Sequence, residues 1–285
     1  MKARYSLVHM TGPTCPPDEL IRIAAKIGYD CVGLRTIPTR LSGNASNAGK
    51  AAMQATTSGI EAFDIVHNRK LLEATKRTAA ETGVVINDTE NARIFDGCDV
   101  RNYEADLEAA AELGVKHFLT NIWTVDKPFY TEQFAQLAEL GANYGLTVNV
   151  EFVTWAGVKN LQDAKELLLA SGAENVGIVV DALHCHRSRV QLSEFDGLPQ
   201  SWFNYMHLSD IEAEIPTDTE TLLHNGRDER LYPGDGAIDL RALVAKLPDT
   251  AVRGLEIPSV SKVASIGLEA HARTALEKAK AALEG

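Results

Sequence analysis

The sequence contains no long apolar run and no clustered cysteines. No segment approaches the ~18 consecutive apolar residues of a membrane-spanning helix, and the first ten residues lack the apolar core of a signal peptide. The four cysteines are widely scattered, without a Cys-x-x-Cys pair: Cys15, Cys31, Cys98 and Cys185. This spacing gives no support to a disulfide framework. We therefore expect reduced thiols in a cytoplasmic protein that does not associate with membranes.

Basic residues are scarce relative to acidic ones. The 285 residues include 28 Lys and Arg against 39 Asp and Glu, and the formal net charge at pH 7 is −11. Because proteins bind duplex nucleic acid largely by neutralising phosphates, this charge disfavours nucleic acid as a partner. Hydrophobic residues make up 45% and charged residues 24% of the chain, an ordinary globular composition that argues against wholesale disorder.

The repeated feature of the sequence is a segment of helical periodicity that ends in glycine and precedes a short β-favouring run. It occurs at five glycines: Gly28, Gly83, Gly114, Gly145 and Gly172. Glycine suits the residue just beyond a helix because that residue often adopts a positive φ. The last four of these glycines are 31, 31 and 27 residues apart, about the length of one βα unit. The spacing therefore predicts a series of βα units.

Between these glycines, predicted strands alternate with predicted helices. The strands are expected at residues 5–9, 31–34, 84–88, 117–121, 146–151, 176–181, 205–208 and 252–257. Several are apolar without alternation, which is typical of parallel strands buried on both faces. Eight such units predict a (β/α)8 TIM barrel, with a doubly wound open sheet as the alternative. No linker or shift in composition divides the chain, so residues 1–285 are expected to form one TIM-barrel domain.

Two long stretches, residues 36–68 and 209–237, interrupt the series and are rich in turn-forming residues. They follow the second and seventh predicted strands. Both would leave the barrel at the C-terminal ends of strands, where barrel enzymes build their active sites. We expect these loops to line or cover a binding site, the alternative being surface insertions without a role.

Polar residues occur at the ends of the last four predicted strands. Glu151 ends the fifth, Asp181 the sixth and Glu256 the eighth, and the seventh carries His207. A carboxylate that closes an apolar strand is costly to bury unless it is paired or binds a cation. Each of these residues alone could cap a helix or lie in the core. Together they predict a site for one divalent metal ion, with Mn²⁺ or Mg²⁺ favoured by the oxygen ligands and Co²⁺ or Zn²⁺ allowed by the imidazole.

These residues lie in segments that resemble a known family. The segments are VEF (150–152), DALH (181–184), MHLSD (206–210), RLYPGDGAID (230–239) and LE (255–256). They resemble the xylose isomerase-like TIM-barrel superfamily, and more narrowly its sugar (phosphate) isomerase/epimerase branch. That branch includes ketose 3-epimerases, hydroxypyruvate isomerases and inosose dehydratases. The motifs fall within residues 146–258, and the first half agrees only in the order of its elements.

The resemblance implies a role for each site residue. It assigns the metal-ligand role to four residues: Glu151, Asp181, His207 and Glu256. Glu151 and Glu256 also match the pair that moves a proton between two faces of a substrate carbon, and His184 and Arg230 match positions that bind substrate oxygens. The implied activity is a metal-dependent isomerase or epimerase of a small sugar or polyhydroxy carbonyl compound, with Mn²⁺ expected. Such chemistry is reasonable, because a cation stabilises an enediolate while two carboxylates act as base and acid.

Three other functions remain as alternatives. A dehydratase of an inosose or a 3-dehydroshikimate-like compound starts with the same proton abstraction, so the sequence does not separate it from an isomerase. The AP endonuclease branch of the superfamily carries Asp-x-His before the glycine turn, whereas Arg230 follows Asp228 and Glu229 here. A barrel that binds a partner without turnover has no need for four converging polar groups. Relatives are often dimers or tetramers, but no residue pattern decides whether this chain is a homo-oligomer.

The second predicted strand ends in Arg35, where many isomerase relatives carry a glutamate. An arginine that faces the pocket either binds a carboxylate or phosphate of the substrate or pairs with an acidic loop residue. Trp123 and Trp155 follow the fourth and fifth predicted strands. They either form an apolar wall of the pocket or pack beneath loops.

Overall fold

The eight strands of the protein close into a parallel barrel. The computed structural model describes residues 3–38 and 62–285. Its strands are β1 (Tyr5–Val8), β2 (Cys31–Arg35), β3 (Val85–Ile94), β4 (His117–Ile122), β5 (Thr147–Glu151), β6 (Val176–Asp181), β7 (Tyr205–Leu208) and β8 (Val252–Leu255). They pair in chain order, and β8 pairs with β1, where Ser6 lies opposite Gly254. This closure confirms the predicted (β/α)8 barrel and excludes the open sheet.

Helices connect the strands and cover the barrel. They are α1 (Pro17–Ile27), α2 (Arg69–Thr82), α3 (Glu104–Glu112), α4 (Lys127–Asn143), α5 (Leu161–Ser171), α6 (Ala182–Arg187), α7 (Thr219–Arg227), α8 (Leu240–Val244), α9 (Val260–Ile266) and α10 (Leu268–Glu284). All five predicted glycine positions adopt a positive φ, from +65° at Gly172 to +99° at Gly28. Among the helices of the described ranges, none is both long and apolar enough to cross a membrane.

The interior of the barrel carries an apolar layer beneath a polar one. Five buried side chains form a separate apolar cluster: Cys31, Leu119, Val179, Tyr205 and Val252. Side chains two residues apart on a strand face the same side. On β6, Asp181 therefore lies on the same face as Val179, two residues closer to the C-terminal end of the strand. On β7, His207 lies in the same way on the face of Tyr205. The apolar layer closes the barrel below the polar residues that end the strands.

The third strand is longer than predicted and delivers polar residues to the site. The expected strand ended at residue 88, but β3 continues to Ile94. The intervening polar residues, NDTENAR (87–93), resemble a loop by composition, since Asn and Asp are depleted in strands. Here they are buried, and the strand pairs with β2 as far as Glu90 and with β4 as far as Ile94. Burial within a closed barrel therefore overrides the local preference.

The two long loops differ in how much of them the structure describes. Residues 39–61 of the loop predicted at 36–68 lie outside the described residues. Beyond them, the Phe63 ring stacks on His9 with centroids 5.3 Å apart, and the Phe63 amide donates to the carbonyl of Arg35. The loop predicted at 209–237 contains α7, and Arg227 and Arg230 of this loop line the pocket described below.

A buried carboxylate organises the segment that holds Arg230. Asp210 follows β7, and its carboxylate accepts hydrogen bonds from the amides of Gly234 and Ile238, at 2.9 and 3.0 Å. Gly236 is needed in this turn because a Cβ at that position would collide with the Asp210 carboxylate. The glycine turn of the RLYPGDGAID segment therefore anchors the chain that carries Arg230 against the end of the barrel.

Candidate metal and substrate site

The four residues predicted as metal ligands meet at the C-terminal end of the barrel. We call them the carboxylate–histidine cluster: Glu151, Asp181, His207 and Glu256. One ligand atom from each lies within 4.8 Å of the others. Asp181 and His207 are fully buried, and Glu256 and Glu151 are 6% and 8% exposed. Glu151 and Asp181 end β5 and β6, His207 belongs to β7, and Glu256 directly follows β8.

Hydrogen bonds hold the Glu151 side of the cluster. His207 Nδ1 lies 3.1 Å from Glu151 Oε1 and 3.6 Å from Glu256 Oε2. Asn121 Nδ2 donates to Glu151 Oε2 at 3.0 Å. Burial alone lowers the pKa of His207, but the charges of Glu256 and Glu151 outweigh it and raise this pKa well above its usual value. Burial raises the pKa of Glu151, and the hydrogen bond and charge of His207 overcome it, so the net shift is downward.

Arg230 holds the opposite side of the cluster. Its Nη1 lies 2.7 Å from Asp181 Oδ2 and 2.9 Å from Glu256 Oε2, and its Nε donates to the carbonyl of Gly226 at 2.7 Å. The Asp181 pKa is lowered because Arg230 overcomes the effect of burial. Burial raises the pKa of Glu256 to about 8 despite Arg230 and His207. Arg230 thus lines the pocket at the C-terminal end of the barrel and also neutralises two carboxylates of the cluster.

The Asp181 carboxylate both caps a helix and pairs with a buried arginine. Its Oδ1 accepts a hydrogen bond from the backbone amide of His184 at 3.0 Å and so caps α6, while Oδ2 faces Arg230. The ring of His184 lies edge-on to Trp155, with centroids 5.0 Å apart, and its Nδ1 is 3.2 Å from Thr154 Oγ1. Burial lowers the His184 pKa. His184 therefore lines the pocket as a neutral imidazole.

The cluster is suited to a divalent cation. Three carboxylates and one imidazole form a donor set that Mn²⁺, Mg²⁺ or Zn²⁺ accepts. Opposite ligands of a small divalent ion lie about 4 Å apart, close to the separation of the four groups. In addition, His207 Nε2 is buried and has no hydrogen-bond partner within residues 3–38 and 62–285. The residues present could hold a metal ion.

Several residues of the pocket escaped the sequence analysis. Glu90, Asn91 and Arg93 of β3 and Arg227 of α7 line it together with four of the predicted residues, Glu151, His184, Arg230 and Glu256. The β3 residues were missed because the strand was expected to end at residue 88. The period of two could have found Glu90, which it places on the same face as buried Asp88, but not Asn91 or Arg93, because the register of β3 shifts between Thr89 and Ala92.

Three further side chains settle alternatives left by the sequence. Arg35, Trp123 and Trp155 all line the pocket. The two tryptophans therefore form part of its wall rather than packing only beneath loops. Arg35 Nη1 lies 3.5 Å from Glu90 Oε1, so within residues 3–38 and 62–285 it has an acidic neighbour on β3.

Comparison with known proteins supports the same family. A family model described as xylose isomerase-like TIM barrel matches residues 21–282. Inosose isomerase of Bacillus velezensis is 27% identical over 163 residues, which are 53% of this chain and 55% of that protein. 3-Dehydroshikimate dehydratase of Pseudomonas aeruginosa is 26% identical over 236 residues, 77% of this chain and 37% of that protein. The chain thus spans about half or less of the length of these relatives.

Solved structures share the fold. A structure of IolI protein with a zinc atom superposes with a TM-score of 0.76 at 17% identity, covering 99% of this chain and 98% of that one. D-psicose 3-epimerase, in a structure determined in the presence of D-fructose, superposes with a TM-score of 0.68 at 13% identity. The match covers 99% of this chain and 100% of that one. Because the family match includes almost the entire closed barrel and all four residues of the cluster, the chain belongs to the xylose isomerase-like TIM-barrel family.

Proposed function

We propose that this protein is a divalent-metal-dependent isomerase or epimerase of a small sugar or polyhydroxy carbonyl compound. The observation that carries the proposal is the carboxylate–histidine cluster, in which three carboxylates and an imidazole are buried within 4.8 Å of one another beside an open pocket. Such a group of charges is costly to bury unless it is paired or binds a cation, and three carboxylates with one imidazole are the ligands that a divalent cation accepts. The similarity to inosose isomerases supports the same class of reaction.

Glu151, Asp181, His207 and Glu256 would hold the metal ion, with Mn²⁺ as the expected one. When bound, a divalent cation supplies Lewis acidity that stabilises negative charge on adjacent carbonyl and hydroxyl oxygens of a substrate. The protein contributes the orientation of the ligands. Asn121 holds Glu151, and Arg230 holds Asp181 and Glu256. A neutral partner such as Asn121 raises metal affinity because the ligand that it orients does not need to reorganise.

Glu151 and Glu256 are the residues that we assign to proton transfer. They reach the pocket from β5 and from the end of β8, with β6 and β7 between them. In the proposed reaction, one carboxylate removes the proton from the substrate carbon next to the carbonyl. The other carboxylate returns a proton, either to the opposite face of that carbon in an epimerase or to the neighbouring carbon in an isomerase.

His184 and Arg230 are assigned to substrate oxygens. His184 Nδ1 lies near Thr154, 3.4 Å from its amide nitrogen and 3.2 Å from its hydroxyl oxygen. A neutral imidazole that accepts at Nδ1 carries its proton on Nε2, so this atom is the hydrogen-bond donor for a substrate. Arg230 carries a fixed positive charge beside Glu256 and would donate to oxygens that gain negative charge.

A dehydratase is the second candidate. It is favoured by the match to 3-dehydroshikimate dehydratase, which extends over 77% of this chain, more than the 53% matched by inosose isomerase. Both reactions begin with abstraction of a proton next to a carbonyl. The dehydratase then expels a β-hydroxyl as water, with the second carboxylate as the proton donor.

The AP endonuclease alternative gains no support from the geometry. His117 is the first residue of β4, at the opposite end of the strand from the pocket, and its ring lies 5.6 Å from that of Tyr205 in the apolar layer. Arg230 stands beside the cluster where that branch carries a histidine.

The test is proton exchange in D₂O. Purified protein with added Mn²⁺ is incubated with ketoses, inososes and 3-dehydroshikimate, and the products are followed by NMR and mass spectrometry. An isomerase or epimerase incorporates deuterium at a carbon next to the carbonyl, without loss of water. A dehydratase yields a product that has lost the mass of one water molecule and that absorbs as a conjugated enone. Absence of exchange and of dehydration with every compound, in protein shown to contain metal, would refute both candidates.

A further inference from the structure

A line of hydrogen bonds crosses three neighbouring strands and ends at the carboxylate of Glu151. Asn91 of β3 donates from Nδ2 to Oδ1 of Asn121 on β4. Asn121 donates in turn from Nδ2 to Glu151 Oε2 at 3.0 Å, and the same nitrogen lies 3.2 Å from the backbone carbonyl oxygen of Glu151 on β5. All three residues are buried. We call Asn91, Asn121 and Glu151 the amide chain.

The carboxylate fixes the direction of every hydrogen bond in the amide chain. An ionised carboxylate only accepts hydrogen bonds, so Asn121 must turn its Nδ2 toward Glu151. Its Oδ1 then faces β3 and needs a donor, which is Nδ2 of Asn91. The two ends of an Asn amide are nearly equal in shape, so without this donor the Asn121 amide could rotate and present Oδ1 to Glu151. The donor on β3 therefore decides which end of the Asn121 amide Glu151 meets.

The Asn91 side chain contributes little to the stability of the fold. Its Oδ1 is buried and has no hydrogen-bond partner among residues 3–38 and 62–285. A buried acceptor without a partner costs stability, and this cost offsets what the bond at Nδ2 contributes. The side chain lines the pocket together with Glu151. The distinct contribution of Asn91 is therefore the hydrogen bond that it donates to Asn121.

Glu151 needs a fixed orientation because its two oxygens have different partners. Oε1 lies 3.1 Å from His207 Nδ1, whereas Oε2 accepts the hydrogen bond from Asn121. A rotation of this carboxylate would change the oxygen that it offers to a metal ion and to the substrate carbon. A ligand that is already held in place binds metal more tightly, because binding does not have to order it.

We propose that Asn91 is a positioning residue, which fixes the amide of Asn121 and, through it, the carboxylate of Glu151. Asn91 acts on the site through Asn121 alone. The inference rests on the proposed function, in which Glu151 is both a metal ligand and a proton-transfer group. It extends the site by one residue beyond the ligands and their direct partners.

The test is a double-mutant cycle on Mn²⁺ affinity, measured by isothermal titration calorimetry at pH 8. Asn91→Ala should weaken Mn²⁺ binding about 3–10-fold, which corresponds to the loss of one neutral hydrogen bond. In a protein that already carries Asn121→Ala, the same substitution should change the affinity less than about twofold, because the residue through which it acts is gone. Equal effects of Asn91→Ala in the two backgrounds would overturn the proposal.

A second substitution separates the loss of the donor from the loss of packing. Asn91→Val fills most of the space that alanine leaves empty but donates no hydrogen bond, and a β-branched residue suits a strand. It also replaces Asn91→Ala in the cycle if that variant does not fold. We expect valine to weaken Mn²⁺ binding as much as alanine does. Wild-type affinity in Asn91→Val would mean that Asn91 only fills space, and would overturn the proposal.

Asn175 provides a matched control at the other end of the barrel. It directly precedes β6, and its Nδ2 donates to the carbonyls of Ala138 and Leu146 at 2.8 and 2.9 Å. Asn175→Ala should therefore lower the Tm without changing Mn²⁺ affinity. A loss of affinity equal to that of Asn91→Ala would assign the effect of Asn91 to general loosening of the barrel, and would overturn the proposal.

The outcomes for this inference and for the proposed function are distinguishable. On a compound that the protein turns over, Asn91→Val should lower kcat and leave KM within about twofold, because the group that transfers the proton loses its orientation. Coupling between Asn91 and Asn121 in Mn²⁺ affinity, without proton exchange on any carbonyl compound, would refute the proposed reaction and leave the role of Asn91 standing. Turnover by the wild-type protein together with additive effects in the cycle would do the reverse.

Discussion

Arg230 and Asp181 form a buried ion pair, with Nη1 of the guanidinium 2.7 Å from Oδ2 of the carboxylate. The two residues are 49 positions apart in the chain. The pair joins the end of β6 to the segment that follows α7, and the same nitrogen lies 2.9 Å from Glu256. Arg230 therefore places a fixed positive charge among carboxylates that would also hold a cation.

Replacement of Arg230 should destabilise the metal-free protein. Removal of one partner from a buried ion pair costs about 3–5 kcal/mol because the remaining charge stays buried. We expect Arg230→Gln to lower the Tm of the metal-free protein and Mn²⁺ to restore much of it, since a divalent cation neutralises the same carboxylates. Thermal unfolding with EDTA and with Mn²⁺ measures both effects, with Arg77→Gln, at an exposed arginine of α2, as the control. An Arg230→Gln variant whose Tm does not respond to Mn²⁺ would contradict the shared role of the cluster.

The Glu256→Gln variant should lose turnover and retain its fold. Glu256 lies 2.9 Å from Arg230, and Gln has the same shape and keeps a side-chain oxygen that can accept a hydrogen bond from that guanidinium, so the fold should be retained. Removal of a catalytic acid or base typically lowers the reaction rate about 10²–10⁴-fold. Turnover and Tm are measured together, with Glu81→Gln on exposed α2 as the control. Unchanged turnover in Glu256→Gln would refute the assignment of this residue.

Metal binding should strengthen as pH rises toward and beyond about 8. A bound cation needs ionised Glu256 and neutral His207, whereas the metal-free cluster raises the pKa of both groups. As pH falls below these pKa values, the metal must displace protons, and each displaced proton weakens the apparent affinity about tenfold per pH unit. Calorimetric titration of Mn²⁺ at pH 6, 7 and 8 in buffers of different ionisation enthalpy reports both affinity and protons released. Affinity independent of pH would place the metal elsewhere.

Asn121 should act as a positioning residue for Glu151. Its Nδ2 donates to Glu151 Oε2 at 3.0 Å, so the side chain fixes the carboxylate, and Asn121 is not among the described residues that line the pocket. Loss of a partner that orients a metal ligand typically costs about 10–100-fold in metal affinity or activity. We expect Asn121→Ala to weaken Mn²⁺ binding within that range.

The matched control for Asn121 lies on the next strand. Asn149 is also buried, but its Nδ2 donates to the carbonyl of Thr147 and its Oδ1 accepts from Asn204, away from the cluster. Asn149→Ala should lower the Tm without changing Mn²⁺ affinity. If both variants lose metal affinity equally, the effect of Asn121 reflects general loosening of the barrel and not the orientation of Glu151.

The fold and the core of the site could be predicted because their signals are local. A glycine that follows a helix and an apolar run that follows the glycine both involve only a few consecutive residues. Together they predicted the alternation of helices and strands. Asp181 could be identified because it ends a strand that is otherwise apolar, and Glu151 because it ends a strand in which valines alternate with polar residues. The cap that Asp181 provides to the amide of His184 spans three residues and is equally local.

The second half of β3 could not be predicted from such local signals. Its polar second half is unfavourable as an isolated strand, and only pairing with β2 and β4 makes it one. Glu90, Asn91 and Arg93 reach the pocket as a result. The placement of Arg227 likewise depends on α7, which packs its last turn over Trp155.

The sequence by itself determined the eight βα units and the positions at which polar residues end apolar strands, because both follow from periodicity and backbone conformation over a few residues. The tertiary structure decided which charges face each other. Pairing of β8 with β7 brings Glu256 to His207, and the segment anchored by Asp210 brings Arg230 to Asp181. Electrostatic interactions depend on distance in space and on burial, which are set only when the barrel closes.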